Sequence, residues 1–229
     1  MNTKHKKPTL TKKQRHKLRV QQVRRQKIFL TFLFLLIVGC ILLRFSKFSG
    51  RQEEAHQINA ACEAYRDEVS SEAAQYDMSD YVDLLLAVMM QESSGQGTDP
   101  MQSSEGAYNT RYPQQPNGIT DPSYSISCGI QELKYALDKA GCTGPTDLSK
   151  IRLALQAYNF GADSYFAYLE ENGQTVWTAQ SAQAFAQMAS GGTQRDEDDP
   201  LHDPAGPWDY GDQYYPDHVL RYYHLDNNS

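Results

Sequence analysis

Ser79-Asp80-Tyr81-Val82-Asp83-Leu84-Leu85-Leu86-Ala87-Val88-Met89-Met90-Gln91-Glu92-Ser93-Ser94-Gly95-Gln96-Gly97 decides how this chain of 229 residues folds. From Tyr81 to Glu92 the stretch is apolar nearly all round, which predicts a helix buried at the centre of a domain. Ser79 is placed to cap its start, and the glycines of the following turn end it. The helix therefore carries a carboxyl, Glu92, at its exit. Behind Val88-Met89-Met90 that carboxyl is expected to be half buried, and desolvation raises its pKa. A carboxyl of this kind keeps its proton near neutral pH, the state a general acid needs. The plainer alternative is an ordinary charged residue at a helix end. The glycine turn lets backbone and ligand approach closely.

Working outward, Gln52 to Gln75 places Ile58, Cys62, Tyr65 and Val69 at helical spacing and predicts the first helix. Thr98 to Ser127 is long, polar and proline-punctuated, and unstructured connections of that length usually carry function. Further helices are expected at Ser127–Lys139, Leu148–Asn159, Ala162–Glu171 and Ser181–Ala189. A second loop follows at Ser190–Asp212, whose acidic run Asp196–Asp199 reads as a solvated segment. A closing helix is expected at Tyr214–His224. No strand alternation is visible, so residues 52–229 predict one mainly α domain. Of the four cysteines, Cys128 and Cys142 flank one helix and are candidates for a staple; buried free thiols are the competing reading. No His/Cys spacing suggests zinc, and no cofactor is expected.

Charge divides the chain. Lys4 to Lys27 holds 11 Lys and Arg and no acid. All 28 acidic residues follow Arg51, against 8 of the 22 basic ones. Two compartments explain that split better than one folded surface. Between the halves lies the apolar run Ile28–Leu43; extended to Phe48, with Arg44 and Lys47 snorkelling, it reaches about 31 Å as a helix. The organisation expected is a basic cytoplasmic tail (1–27), one transmembrane helix (28–48) and an extracellular domain (52–229), oriented by the positive charge before the helix. Signal cleavage after the apolar run and lipidation at Cys40 are the rivals: Arg44-Phe45-Ser46-Lys47 is a poor cleavage site, and Cys40 is followed by further apolar residues. The strongly acidic domain argues against polyanion binding outside the cell, so no nucleic acid is expected there. The basic tail reads as a topology signal in contact with lipid headgroups.

Glu92-Ser93 at a helix end, Gly129-Ile130-Gln131, and Ala157-Tyr158-Asn159-Phe160-Gly161 occur in that order. They resemble the signature motifs of soluble lytic transglycosylases and goose-type lysozymes. The string Gln91-Glu92-Ser93-Ser94-Gly95-Gln96-Gly97-Thr98-Asp99-Pro100-Met101-Gln102-Ser103-Ser104-Glu105 is similar to the lysozyme-like domain of CwlT-type cell-wall hydrolases of Gram-positive bacteria and their conjugative elements. Tyr210-Gly211-Asp212 and Tyr215-Pro216-Asp217-His218-Val219-Leu220 resemble the ending of that domain. The resemblance implies a lysozyme-like helical fold acting on peptidoglycan glycan strands. It implies Glu92 as catalytic acid, Ser93 as a supporting residue, and Gly129 and Gln131 as glycan-binding, with Gly129 leaving room for the sugar. It implies Tyr158 and Asn159 in the cleft, and Tyr215 orienting the glutamate. From the residues alone, Tyr158 reads equally as core packing and Asn159 as a helix C-cap. Gly-Ile-Gln lacks the Met of Gly-Leu-Met-Gln. The second, peptide-cutting domain common in such enzymes has no expected counterpart here.

Asp99 decides the reaction class expected from this resemblance. If its carboxylate faces the cleft, it steadies an oxocarbenium-like transition state or positions water, which favours muramidase chemistry. If it points away as a loop cap before Pro100, Glu92 acts alone, first as acid and then as base. The muramoyl 6-hydroxyl then attacks, leaving a 1,6-anhydro end. Two readings without catalysis compete: a peptidoglycan-binding membrane scaffold, and an adaptor working through the basic tail. A membrane tether with this resemblance points to local wall opening beside a conjugation or type IV secretion apparatus. On intact cells, a tag before Met1 is expected to be shielded from added protease while a tag after Ser229 is digested. The reverse pattern would refute the orientation.

Overall fold

The computed structural model describes residues 56–199 and 202–225. The basic tail, the apolar run 28–48 and Cys40 lie outside them. Among the described residues no helix is long and apolar enough to cross a membrane. Those residues form α1 (Ala60–Glu63), α2 (Arg66–Ala74), a 3-10 turn (Ser79–Tyr81), α3 (Val82–Glu92), α4 (Pro122–Ala140), α5 (Leu148–Phe160), α6 (Ala162–Glu171), α7 (Ala179–Ala189) and α8 (Tyr215–Leu220). Among them extended chain pairs only at an isolated antiparallel bridge, Gln194 with Trp208. The fold is mainly helical, as expected.

The quoted stretch forms the central helix. Leu84 through Met89 are all 0% exposed, so α3 has no solvent face between Asp83 and Met90. It packs against α1, α2 and α8, while α5 packs against α4, α6 and α8. Helix α8 thus touches both α3 and α5 and closes over the exit of α3.

Local starts differ from expectation for identifiable reasons. Ser79 lies within the 3-10 turn and does not cap α3; Tyr81 occupies the cap position with no side-chain cap bond. The turn tightens there because Met78, 2% exposed, is drawn into the core. The expected first helix is broken at Ala64-Tyr65 into α1 and α2. Asn59 starts α1 by accepting from the Cys62 amide at 2.8 Å. Helix α4 begins five residues before the expected Ser127, capped by Asp121 with Pro122 in its first turn. The closing helix is shorter than expected, ending at Leu220. Cys62, Cys128 and Cys142 are all free thiols, so the Cys128–Cys142 staple is not formed. The Cys142 thiol instead donates to the Gly144 carbonyl at 3.4 Å.

The glycine turn after α3 approaches protein, not ligand. Gly95 has φ +73°, and a Cβ there would lie 2.7 Å from the Cys62 nitrogen. Asn59 Nδ2 stitches the same turn by donating to the Ser94 carbonyl at 3.0 Å. A Gly95→Ala variant combines left-handed strain with a backbone clash and is expected to lose at least about 1–2 kcal/mol. Urea denaturation measures it; an unchanged midpoint would contradict this packing.

Candidate active site

Glu92 stands half-buried at the end of α3, where the apolar helix meets a groove of about 620 Å³. Gln102, Asn159, Arg195, Asp212, Tyr215 and His218 line the groove with it. The Tyr215 hydroxyl donates to Glu92 Oε1. Burial pushes the Glu92 carboxyl up to about 7; the Tyr215 hydrogen bond opposes this, and the charges of Asp212, Asp99 and Glu132 add to it. The acid is therefore proton-bearing near neutrality, the requirement for donating to a leaving oxygen.

Two tyrosines fix its orientation. Tyr215 is 2% exposed and stacks on Tyr158 with ring centroids 6.2 Å apart and planes at 22°. The Tyr158 hydroxyl donates to the Met101 carbonyl at 2.9 Å. Burial raises both phenols well above their ordinary range, so both remain neutral hydrogen-bond donors.

The other residues singled out by the sequence divide between groove and support. Asn159 lines the groove, and its Oδ1 accepts from the Asp212 amide at 2.7 Å. Asp99 does not open onto the groove: it is 1% exposed. Its Oδ1 accepts from the Ser103 amide at 3.0 Å and the Ser125 hydroxyl at 2.6 Å. Its Oδ2 accepts from the Ser104 amide at 3.2 Å and from the Ser104 hydroxyl. Ser93 donates to the Pro100 carbonyl at 2.7 Å and so ties the turn to the loop beyond it. The space beside Gly129 is filled by Met101, whose Cβ lies 2.7 Å from where a glycine Cβ would stand; a sugar has no room there. Gln131 lines a separate surface groove with Tyr76, Tyr108 and Arg111, and its amide donates to the Ser127 carbonyl at 3.1 Å.

Two acidic residues near Glu92 escaped the sequence reading. Asp212 lines the groove, and its Oδ2 lies 2.5 Å from His218 Nδ1. Glu132 accepts from the Ala107 amide at 2.9 Å, and burial pushes its carboxyl up to about 7. The Tyr210-Gly211-Asp212 string was a signal for the first; nothing local marks the second. Among the described residues no three His, Cys, Asp or Glu converge as a metal site.

A mainly helical domain of this kind finds a counterpart among known proteins. The family model described as Lysozyme-like matches residues 60–223. The chain belongs to the lysozyme-like family. It is 35% identical over 173 residues to the bifunctional muramidase/DL-endopeptidase CwlT of Bacillus subtilis (strain 168), covering 76% of this chain and 43% of that protein. It is 39% identical over 111 residues to the uncharacterized membrane protein YocA of the same organism, covering 48% of this chain and 45% of that protein. A crystal structure from Staphylococcus aureus subsp. aureus Mu50, described as similar to lipoprotein, NLP/P60 family, superposes with a TM-score of 0.62 at 27% identity. That match covers 76% of this chain and 56% of the other. The chain thus spans about half the length of the relatives it matches, and the part shared with CwlT makes this a CwlT-type lysozyme-like domain.

The raised Glu92 pKa has a thermodynamic sign. A carboxyl at about 7 in the fold and near 4.3 when unfolded favours folding fully at low pH. That contribution is lost as pH rises through the folded value. Glu92→Gln removes the ionisation. The variant is expected to melt higher than wild type at pH 8, with the gap closing by pH 4. A gap independent of pH would contradict the burial described.

Proposed function

We propose that this lysozyme-like domain cleaves the glycan strands of peptidoglycan, with Glu92 as the general acid. The observation that carries the reading is the half-buried Glu92 carboxyl, held by Tyr215 at the head of a groove. Tyr158 supports Tyr215 by stacking, and Asn159 shapes the wall through Asp212. Ser93, Gly129 and Asp99 contribute by fixing the loop that follows α3 and the start of α4. Gln131 belongs to a neighbouring surface where further parts of a strand would rest.

Hydrolysis between N-acetylmuramic acid and N-acetylglucosamine is the favoured outcome, in line with the muramidase named in the CwlT relative. The second reading is transglycosylation to a 1,6-anhydro end. Its support is Asp99, whose oxygens are all engaged within the protein and which is therefore not free to position water.

The tail at 1–27 and a membrane helix at 28–48 would tether this domain to the outer face of the cell membrane. Their support is the charge asymmetry and the apolar run, together with a relative named as a membrane protein. The tether would confine cutting to wall beside an apparatus of the conjugation or type IV secretion kind.

The test is mass spectrometry of muropeptides released by the purified protein and by Glu92→Gln. Reducing ends released by wild type, and lost by at least about 100-fold in the variant, establish a muramidase. Anhydro-muramoyl ends establish the second reading. No products from wild type would sink the glycosidase reading.

A further inference from the structure

We propose that Arg221 receives a carboxylate carried on the side branch of a muramoyl residue, from the stem peptide or, where that has been removed, from the lactyl group itself. This rests on the glycan-cleaving reading above and adds a part of the substrate that the groove recognises besides the sugar rings. Arg221 lines the groove that holds Glu92.

Charge accounting isolates this residue. From Gln52 onward 28 acidic residues face 8 basic ones, so a cation here has acids to spare. Arg66, Lys134, Lys139, Arg152 and Arg195 each pair with an Asp or Glu. Lys150 donates to the Thr175 carbonyl at 3.4 Å. Among the described residues that leaves Arg111 and Arg221, whose guanidinium groups meet aromatic rings instead. Arg111 lies 4.6 Å from the Tyr124 ring and Arg221 5.9 Å from the Tyr222 ring. Arg111 opens onto the separate groove of Gln131, and Arg221 onto the groove of Glu92.

The acids of that same groove are spent elsewhere. Asp212 accepts from the Tyr214 amide at 2.9 Å and is paired with His218. Asp203 accepts from the Ala205 amide at 2.8 Å. Glu92 bears its proton near neutrality and is bonded to Tyr215. A guanidinium has five N–H donors and no acceptor. Its planar fork matches a carboxylate through two parallel hydrogen bonds, so an anion brought by the substrate fits where the protein offers none.

Placement agrees with this. Tyr215, His218 and Arg221 follow at intervals of three along α8 and its C-cap, and all line the groove. Six helical residues advance about 9 Å, so Arg221 stands beside the acid and not at it. The muramoyl branch leaves its sugar through the ether at C3, apart from the glycosidic oxygens at C1 and C4. It can therefore be held without disturbing the bond that breaks. N-acetylglucosamine has no such branch, so a cation here tells the two alternating sugars apart.

The experiment measures binding by the full chain in detergent, made catalytically silent by Glu92→Gln. Three soluble strands are compared: peptidoglycan strands bearing stem peptides, the same strands stripped by an amidase, and neutral N-acetylglucosamine oligomers. Adding Arg221→Gln is expected to raise the Kd for an anionic strand by about 10-fold and to leave the neutral oligomer unchanged. The difference should shrink with added salt. Loss on the peptide-bearing strand assigns the stem carboxylate, and loss on the stripped strand the lactyl one. Arg221→Lys keeps a cation at the end of α8, where the helix dipole favours one, and is expected to recover part of the binding. Lys134→Gln changes net charge equally from outside both grooves and is expected to bind like its parent. With Glu92 restored, Arg221→Gln should raise KM for the anionic strand and leave kcat nearly unchanged. An equal loss on the neutral oligomer, no loss on either anionic strand, or an equal loss from Lys134→Gln would overturn the proposal. A parent chain that binds none of the three strands would sink the glycan reading beneath it.

Discussion

The carboxylate of Asp99 lies out of solvent and accepts from two backbone amides and two serine hydroxyls. Hydrogen bonds to a buried charge are worth about 1.5–3 kcal/mol each, and losing their partner costs the desolvation of that charge. The long proline-punctuated segment after α3 has almost no regular structure of its own, so this carboxylate is its anchor. With Ser103, Ser104 and Ser125 fixed, the Met101 amide reaches the Ser125 hydroxyl at 3.1 Å. Its side chain fills the gap at Gly129, and its carbonyl meets Tyr158. Tyr158 supports Tyr215, and Tyr215 holds Glu92. The position of the Glu92 carboxyl therefore depends on a second carboxylate buried in the loop that follows its helix.

The far wall of the groove has a different construction. Behind it, Phe160 of α5, Tyr165 of α6, Phe185 of α7 and Tyr210 of the loop before α8 pack edge and face. From that cluster the Tyr210 hydroxyl donates to the Phe160 carbonyl at 3.0 Å. Gln213 is buried and donates to the carbonyls of Trp208 and Tyr210 at 3.0 Å each. Gln156 links the Trp177 indole to the Asp212 carbonyl. Buried amides thus do here what secondary structure does elsewhere, satisfying the backbone of a loop that must pass close to a helix end.

The central helix was legible because nine residues, Val82 to Met90, are apolar but for Asp83 and leave little alternative to burial, and a carboxyl at its exit is then forced to the boundary. Asp99 was legible as an acid and illegible as to direction: seven residues and a turn separate it from Glu92, and only tertiary packing decides which way a side chain there points. Helix α4 began earlier than expected because Ser123, Ser125 and Ser127 read as loop residues. In the fold Ser125 is buried and spends its hydroxyl on Asp99 and Met101. Gly129 read as space for a ligand, yet its missing side chain serves a methionine 28 residues earlier in the chain. Gln131 and Glu132 differ by about 100° around one helix, and neither lines the groove that holds Glu92.

The hydrogen bond from Tyr215 to Glu92 joins residues 123 apart in sequence. Glu92 is laid down early in synthesis, while Tyr215, which bonds to it, comes from α8. A chain still emerging, or one clipped ahead of α8, has the glutamate but neither its partner nor the closing wall. The glutamate is therefore held only once α8 has been synthesised and has docked, so the order of synthesis delays assembly of the groove.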